Sequence, residues 1–437
     1  MRLQRTVTNR IVTTRAVTAL ALAAPALSGP AFAQTQTPEA PPLPTEDRVA
    51  ELERRVELLA DELEAAKLGN VRPPLGDGVY GLSPAASRVY DTDGGVSIGG
   101  YGEMRYDDVQ GGSNQADLHR AVLYFGHRFD ERWLLNTEFE FEHGTVEDTN
   151  DGSGDTAPGS VSVEFAYIDY QHSAEFGVRA GLVLLPVGIV NELHEPNTFL
   201  SANRPFVEQR IIPTTWRENG VGVFGDVGEF TYRAYLVNGL DAQEFSSNGI
   251  RNGRQKGGLA KADDLAGVAR VDWIGQPGLM VGGSLYYGRS GQDLAIGVDT
   301  LLAEAHVDWR ANGWHARALY AQLELDDVAE LNGALGLTGT GSVGESQSGW
   351  YAELGYDVLH GRSEQSLVPF VRFEALDTQA DVPAGFASNP ARDREYVTFG
   401  LSWSPIAPLV VKADYVDGDN GNDSESDLFR LGIGWVF

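Results

Sequence analysis

From residue 95 to residue 437 apolar and polar side chains alternate with a period of two, in segments of about ten residues separated by turn residues. Trp133, Leu135, Thr137, Phe139 and Phe141 share one face, while Asn136, Glu138, Glu140 and Glu142 share the other. The same alternation sets Val397, Phe399, Leu401 and Trp403 against Tyr396, Thr398, Gly400 and Ser402, and it continues to the terminal Phe437. The phase is poor around 312–325, where both faces carry apolar residues. The pattern predicts sixteen strands, near 95–106, 116–129, 132–143, 160–172, 174–185, 218–225, 228–238, 261–274, 278–289, 297–310, 314–325, 348–360, 366–376, 393–403, 408–417 and 426–437.

The connectors decide the architecture. Those after even-numbered strands are tight, as at Asp130-Glu131, Ser173, 275–277 and 311–313. Those after odd-numbered strands are longer and mostly polar, as at 144–159, 186–217, 239–260, 326–347 and 377–392. A soluble sandwich or secreted β-helix has no reason to sort its connectors this way. A barrel in an outer membrane does, with short periplasmic turns, long outer loops, lipid around its apolar face and a polar lumen. Aromatic residues near strand ends (Trp133, Phe141, Tyr167, Trp309, Trp314, Trp403, Tyr415 and Trp435) suit its interfacial girdles. The expected fold is all-β: a sixteen-stranded antiparallel transmembrane β-barrel over 95–437, preceded by a short N-terminal coiled-coil helix.

The N-terminal residues fit that destination. Arg2, Arg5, Arg10 and Arg15 precede an apolar stretch and the small-residue site Ala31-Phe32-Ala33, so 1–33 reads as a secretory signal peptide. A Pro-rich linker over 34–45 follows. Val49, Leu52, Val56, Leu59, Leu63 and Ala66 then make a heptad seam, and 46–68 reads as a coiled-coil oligomerisation helix. Residues 69–94, rich in Gly, Pro and Ser, read as a second linker.

Composition narrows the chemistry. The 437 residues carry 33 Lys+Arg against 62 Asp+Glu, a net charge of −29, which argues against nucleic acid as a partner. There is no cysteine, so disulfides and thiolate metal sites are excluded. Sixteen strands enclose more space than side chains fill, so a wet lumen is expected. The polar phase puts Arg105, Arg120, Arg179, Arg233, Arg270, Arg372, Lys412 and Arg430 on its wall, with Glu138, Glu140, Glu304 and Asp308 among the acids. Each is open to two readings, an ion-steering group or half of a wall-stiffening ion pair.

The connector 186–217 is too apolar for an open loop. Ile189, Val190, Leu193, Phe199, Leu200, Phe206, Val207, Ile211 and Ile212 need a surface to pack on, and the barrel interior offers one. Folded inward it constricts the pore and presents Glu192, His194, Glu195, Arg204, Glu208, Arg210 and Arg217; the other reading packs it over the mouth or on a neighbouring subunit. Arg251, Arg254, Lys256 and Lys261 form a basic cluster in the next long loop, suited to recruiting anions or pairing with lipid phosphates.

Gly100-Tyr101-Gly102-Glu103-Met104-Arg105-Tyr106, the run from Arg179-Ala180-Gly181-Leu182 into Pro186-Val187-Gly188, Arg217-Glu218-Asn219-Gly220-Val221-Gly222 and the terminal Phe437 together resemble the phosphate-selective porin O and P family. The resemblance covers roughly 95–437. It implies a trimeric diffusion channel of the Gram-negative outer membrane, narrowed by its third outer loop, with arginines and a lysine cluster guiding phosphate. The chain departs from that pattern in having only four lysines, Lys67, Lys256, Lys261 and Lys412.

No hydrolase, phosphate-binding-loop or dinucleotide motif is present, and the eight histidines are scattered. Glu192-x-His194 and Glu304-x-His306 have same-face strand spacing, which fits solvated wall residues better than a metal site. The expectation is therefore a non-enzymatic barrel with no catalytic residue, cofactor or metal. Its expected partners are outer-membrane lipid, two further copies of itself, and small hydrophilic solutes or ions, anions and phosphate among them. The competing expectation is a structural or interaction barrel tethered through its periplasmic coiled coil.

Overall fold

The computed structural model describes residues 54–55, 78–92, 94–144 and 159–437. The expected signal peptide, Pro-rich linker and coiled-coil helix lie outside the described residues, apart from the helical Arg54 and Arg55. Sixteen strands form one closed antiparallel barrel, each beside its sequence neighbours, with the first paired to the last. They are β1 (Gly95–Val109), β2 (Gln115–Arg128), β3 (Trp133–Glu142), β4 (Ser160–Gln171), β5 (Gly177–Leu184), β6 (Arg217–Val227), β7 (Phe230–Asn238) and β8 (Leu265–Gln276). The remainder are β9 (Leu279–Arg289), β10 (Asp299–Ala311), β11 (Trp314–Leu325), β12 (Ser346–Tyr356), β13 (Ser366–Asp381), β14 (Asp393–Ile406), β15 (Leu409–Asn420) and β16 (Leu428–Val436). Closure leaves no unpaired strand edge. The seam is completed by the chain terminus, where Phe437 and Gly100 exchange backbone hydrogen bonds of 2.9 and 3.0 Å.

Alternation sorts the faces. Phe125, Phe139, Leu236, Val271, Leu285, Leu354, Phe399 and Leu431 are exposed on the outer face, an apolar band that lipid would cover. Their neighbours Glu138, Glu140, Arg233, Arg270, Asp272, Glu304, Arg372 and Arg430 are buried inside. The short connectors gather at one end, where Asp130 Oδ1 accepts from the backbone N–H groups of Arg132 and Trp133 at 2.8 Å each. The connector 357–365 at that end is longer than the others, which the tight-turn rule does not anticipate.

Two departures from strict alternation have local causes. A register shift between Glu138 and Phe139 marks a bulge opposite Glu164, and both Glu164 and Phe165 turn inward there. The phase of β4 flips beyond it, so Tyr167 leaves the expected girdle and is buried beside Asn136 in the lumen. In β11 the inward positions Leu319, Ala321, Leu323 and Leu325 are apolar because they join the buried cluster that includes Ile211, Ile212, Val328 and Leu331. That packing explains the apolar character of both faces in 312–325.

The interior is filled by two segments. The connector 186–217 folds inward, with Val187, Ile189, Val190, Val207, Ile211, Ile212 and Trp216 fully buried. Residues 78–91, inside the stretch expected to be linker, also pack within the barrel. Leu82, Ala85, Ala86 and Val89 are buried there, and Asn136 on β3 donates to the Ala86 carbonyl at 2.8 Å. The 310 turn Arg88–Asp91 carries Tyr90, whose hydroxyl donates to Asp169 at 2.6 Å on β4.

Candidate functional site

A loop crossing a barrel brings backbone carbonyls and N–H groups into a space with little water, and each needs a partner. The charged wall provides them. Lys412 donates to the Ser201 carbonyl at 2.9 Å, Arg310 and Arg317 both donate to the Thr198 carbonyl at 3.0 Å, and Arg270 donates to the Gly188 carbonyl. Wall acids meet the loop's donors: Asp414 accepts from Ala202 N at 2.6 Å and Glu374 from Val207 N at 3.2 Å. Apolar loop residues find apolar wall positions. Trp216 packs on Tyr286 with ring centroids 4.7 Å apart, Phe206 stacks on Tyr396 at 4.1 Å, and Leu200 clusters with Val368 and Phe370.

The wall residues named from the sequence are inward, but most are held in pairs. Arg179 grips Asp169 with two bonds of 2.9 and 3.0 Å and lies over the Tyr167 ring. Arg120 stands between Glu103 at 3.2 Å and Glu140 at 3.6 Å. Arg372 reaches Glu374 at 2.7 Å and Glu353 at 3.2 Å, and Arg430 reaches Asp414 at 2.7 Å. Asp308 receives Arg317, and Arg105 pairs with Asp107 at 2.9 Å in a partly exposed position. Arg317, Asp169 and the inward tyrosines were not singled out from the sequence. The irregular phase of β11 hid the first, and the β4 bulge hid the second.

The loop residues separate into distinct roles. Glu192 does not face His194: it meets Arg233 at 3.1 Å and Arg270 at 3.5 Å, and both arginines also hold Asp272 at 2.8 Å. Glu304 does meet His306 at 2.8 Å, and that ring's other nitrogen is 2.9 Å from Asp272, so the pair is buried in this network rather than solvated. His194 points instead to Glu138 at 3.2 Å and Glu164 at 3.6 Å. Glu195 accepts from the N–H groups of Ala85 and Ala86 at 3.1 and 3.2 Å, tying the loop to 78–91. Burial pushes its carboxyl up to about 7, against the opposing pull of those two donors. Glu208 folds back on its own loop, accepting from Val190 N at 2.7 Å and from Tyr351 at 2.6 Å. Arg217 holds Glu164 at 2.8 Å.

The basic cluster of the next long loop is a clamp. Arg254 donates to the carbonyls of Pro213 and Thr215 at 3.1 and 2.8 Å, and Arg251 donates to those of Gln209 and Thr214. Burial, with Arg204 and Arg210 nearby, disfavours charge on Arg251. Lys261 pairs with Asp241 and Asp293 at 2.9 Å each, and Lys256 is exposed. By contrast Arg204 Nε and Nη2, Arg394 Nε and Nη1 and both terminal nitrogens of Arg430 make no hydrogen bond, although Arg394 Nε stands 3.6 Å from Glu425. A cavity of about 420 Å³ opens at the short-turn end between Tyr80, Leu82, Glu192, Arg233, Asp272 and Arg310.

No family model matches the chain. A protein of Aquifex aeolicus (strain VF5), described as uncharacterized, is 40% identical over 369 residues, which span 82% of this chain and 83% of that one. Among solved structures the chain is similar to Salmonella typhi OmpF, with a TM-score of 0.52 at 14% identity, covering 80% of this chain and 99% of that one. It is also similar to the loop L8 deletion mutant of Vibrio cholerae OmpT, an outer membrane protein, with a TM-score of 0.51 at 12% identity over 79% of this chain and 100% of that one. The anion-selective porin of Comamonas acidovorans gives 0.50 at 12% identity over 78% and 99%. At these identities the likeness is one of fold. The chain belongs to the same family as the Aquifex aeolicus protein, and its own sixteen-stranded barrel shares the fold of these solved outer-membrane porins.

Proposed function

We propose that the protein is a passive diffusion channel of the Gram-negative outer membrane, working as a homotrimer and passing small hydrophilic solutes with a preference for anions. The carrying observation is the set of inward guanidiniums on Arg204, Arg394 and Arg430, each with two nitrogens that make no hydrogen bond to protein. An unmade hydrogen bond on a buried cation is expensive, so water and passing anions are the natural complement. Phosphate is one such anion. The lysine cluster of the phosphate-selective porins has no counterpart, because Lys412 is bonded to the loop and Lys261 to two aspartates. The reading is therefore of a general anion path rather than a phosphate-specific one.

Purified mature protein in a planar bilayer under a KCl gradient tests this. Openings in steps of three with a reversal potential of anion sign are expected, and Arg204→Ala with Arg430→Ala should move that potential toward the cation side. A second reading, a structural barrel anchored from the periplasm, is favoured by the buried 78–91 segment. A folded barrel with no current would select it.

A further inference from the structure

We infer a divalent transition-metal site inside the barrel, formed by Glu138 of β3, Glu164 of β4 and His194 of the inward loop. One carboxylate oxygen from each Glu and one ring nitrogen lie within 4.8 Å of one another, and all three residues are buried. The shorter ring contact is a hydrogen bond, and both ring distances are compatible with ligands around one ion. His194 Nε2 stands 3.2 Å from Glu138 Oε1 and 3.6 Å from Glu164 Oε2. Two ligands on a tetrahedral ion about 2.05 Å away are separated by about 3.3 Å. The Glu164 contact is too long for a hydrogen bond, and Glu164 Oε2 and Glu138 Oε2 both lack any hydrogen-bond partner.

The surroundings orient these groups. His194 Nδ1 lies 2.9 Å from the Asn191 carbonyl, which can only accept. That contact places a proton on Nδ1 and aims Nε2 at the carboxylates, where a bound ion would take the place of an Nε2 proton. Thr215 and Arg217 donate to Glu164 Oε1 at 2.7 and 2.8 Å, steadying one ligand while leaving its second oxygen free. Arg217 is the arginine bonded to this carboxylate pair, and a small dication would supply the partner that the two free Oε2 atoms lack. One imidazole with two carboxylates suits Zn2+ and its first-row neighbours rather than Ca2+. Such an ion would pin the loop to the β3–β4 wall. The inference does not depend on transport activity, and its test uses no current.

The mature chain, folded in detergent and stripped with a chelator, is titrated with Zn2+ against a colorimetric competitor. A different cluster, Asp117 with His119 and His143, is partly exposed and must be separated from this one. One tight ion per chain is expected in the unaltered protein and in His143→Ala. It should weaken by about 100-fold or more in His194→Gln and in Glu138→Gln, and by about tenfold in Thr215→Ala. Co2+ loaded into the chain should give the visible absorption of an imidazole-bound tetrahedral ion, lost in His194→Gln. Circular dichroism checks that each variant remains a barrel, and Glu138→Gln carries the test if His194→Gln does not fold. Absence of a tight ion from the unaltered chain overturns the site, as does an ion lost in His143→Ala and retained in His194→Gln.

Discussion

The side chain of Asn191 pairs with the backbone of Trp216 as a neighbouring strand would. Asn191 Oδ1 accepts from Trp216 N at 2.6 Å, and Asn191 Nδ2 donates to the Trp216 carbonyl at 3.0 Å and to that of Leu185 at 2.7 Å. Leu185 N also donates to the Trp216 carbonyl at 3.0 Å, so the two limbs of the inward loop are closed at its base. Asn191→Leu keeps the volume and leaves buried backbone groups unpartnered. A loss of about 1–3 kcal/mol is expected in the denaturant midpoint of the detergent-folded barrel. Single-channel current should become noisier as the loop loosens. An unchanged midpoint and a quiet current would show that the loop is held elsewhere.

Arg270 sits at the centre of the most heavily charged part of the interior, meeting Asp272, Glu192, His306 and the Gly188 carbonyl. Arg270→Met keeps much of the apolar stem and removes the charge. Glu192 then keeps only Arg233, which it shares with Asp272, and a destabilisation of about 3–5 kcal/mol is expected because a buried carboxylate loses a counter-charge. Lys261→Ala breaks two ion pairs at the rim, where water screens them, and should leave the midpoint within error of the unaltered protein. Equal effects of the two substitutions would contradict this account of the interior.

The barrel was legible because its signal is repetitive and physical: lipid outside and charge inside impose a period of two on every strand. The inward loop was legible from its apolar content, since Ile211 and Ile212 have no place in water. What the wall charges do was less legible. Period-two spacing places Arg372 and Lys412 inside but is silent on whether they face water or a carbonyl, and the Ser201 contacts of both depend on the fold of a distant segment. Residues 78–91 carried a signal in the spacing of Leu82, Ala85, Ala86 and Val89, which is that of a buried helical turn. Gly and Pro around that short stretch gave it the composition of a linker. Tyr167 was misassigned because one bulge residue inverts everything beyond it.

The clamp on the loop separates geometry from charge. Arg254 uses one guanidinium nitrogen to reach two carbonyls and Nε to reach the Arg251 carbonyl at 2.9 Å. Lysine has the charge without the planar fork. Arg254→Lys should therefore preserve the reversal potential while increasing current fluctuations, and Arg254→Ala should change both. If Arg254→Lys is as quiet as the unaltered channel, the fork is not what holds the loop.

Segment 78–91 obstructs the end of the barrel where the short turns lie, and its fit is close. Gly81 has φ of +84°, and a Cβ there would stand 2.8 Å from Glu192 Oε1 and 2.9 Å from the Arg233 guanidinium carbon. Arg128 adds a hydrogen bond of 2.9 Å to the Tyr90 carbonyl, and Ser83 lies against the Glu192 carbonyl at 3.4 Å. A chain beginning at residue 94 keeps every strand and should pass a larger unitary current than one beginning at residue 78. Gly81→Val, which cannot seat in the same place, should fall between the two. The comparison is made in one bilayer at fixed KCl, and the same stepping pattern in all three chains shows that assembly is unchanged. Identical unitary currents would mean that ions pass beside this segment, leaving the loop alone to set the width of the path.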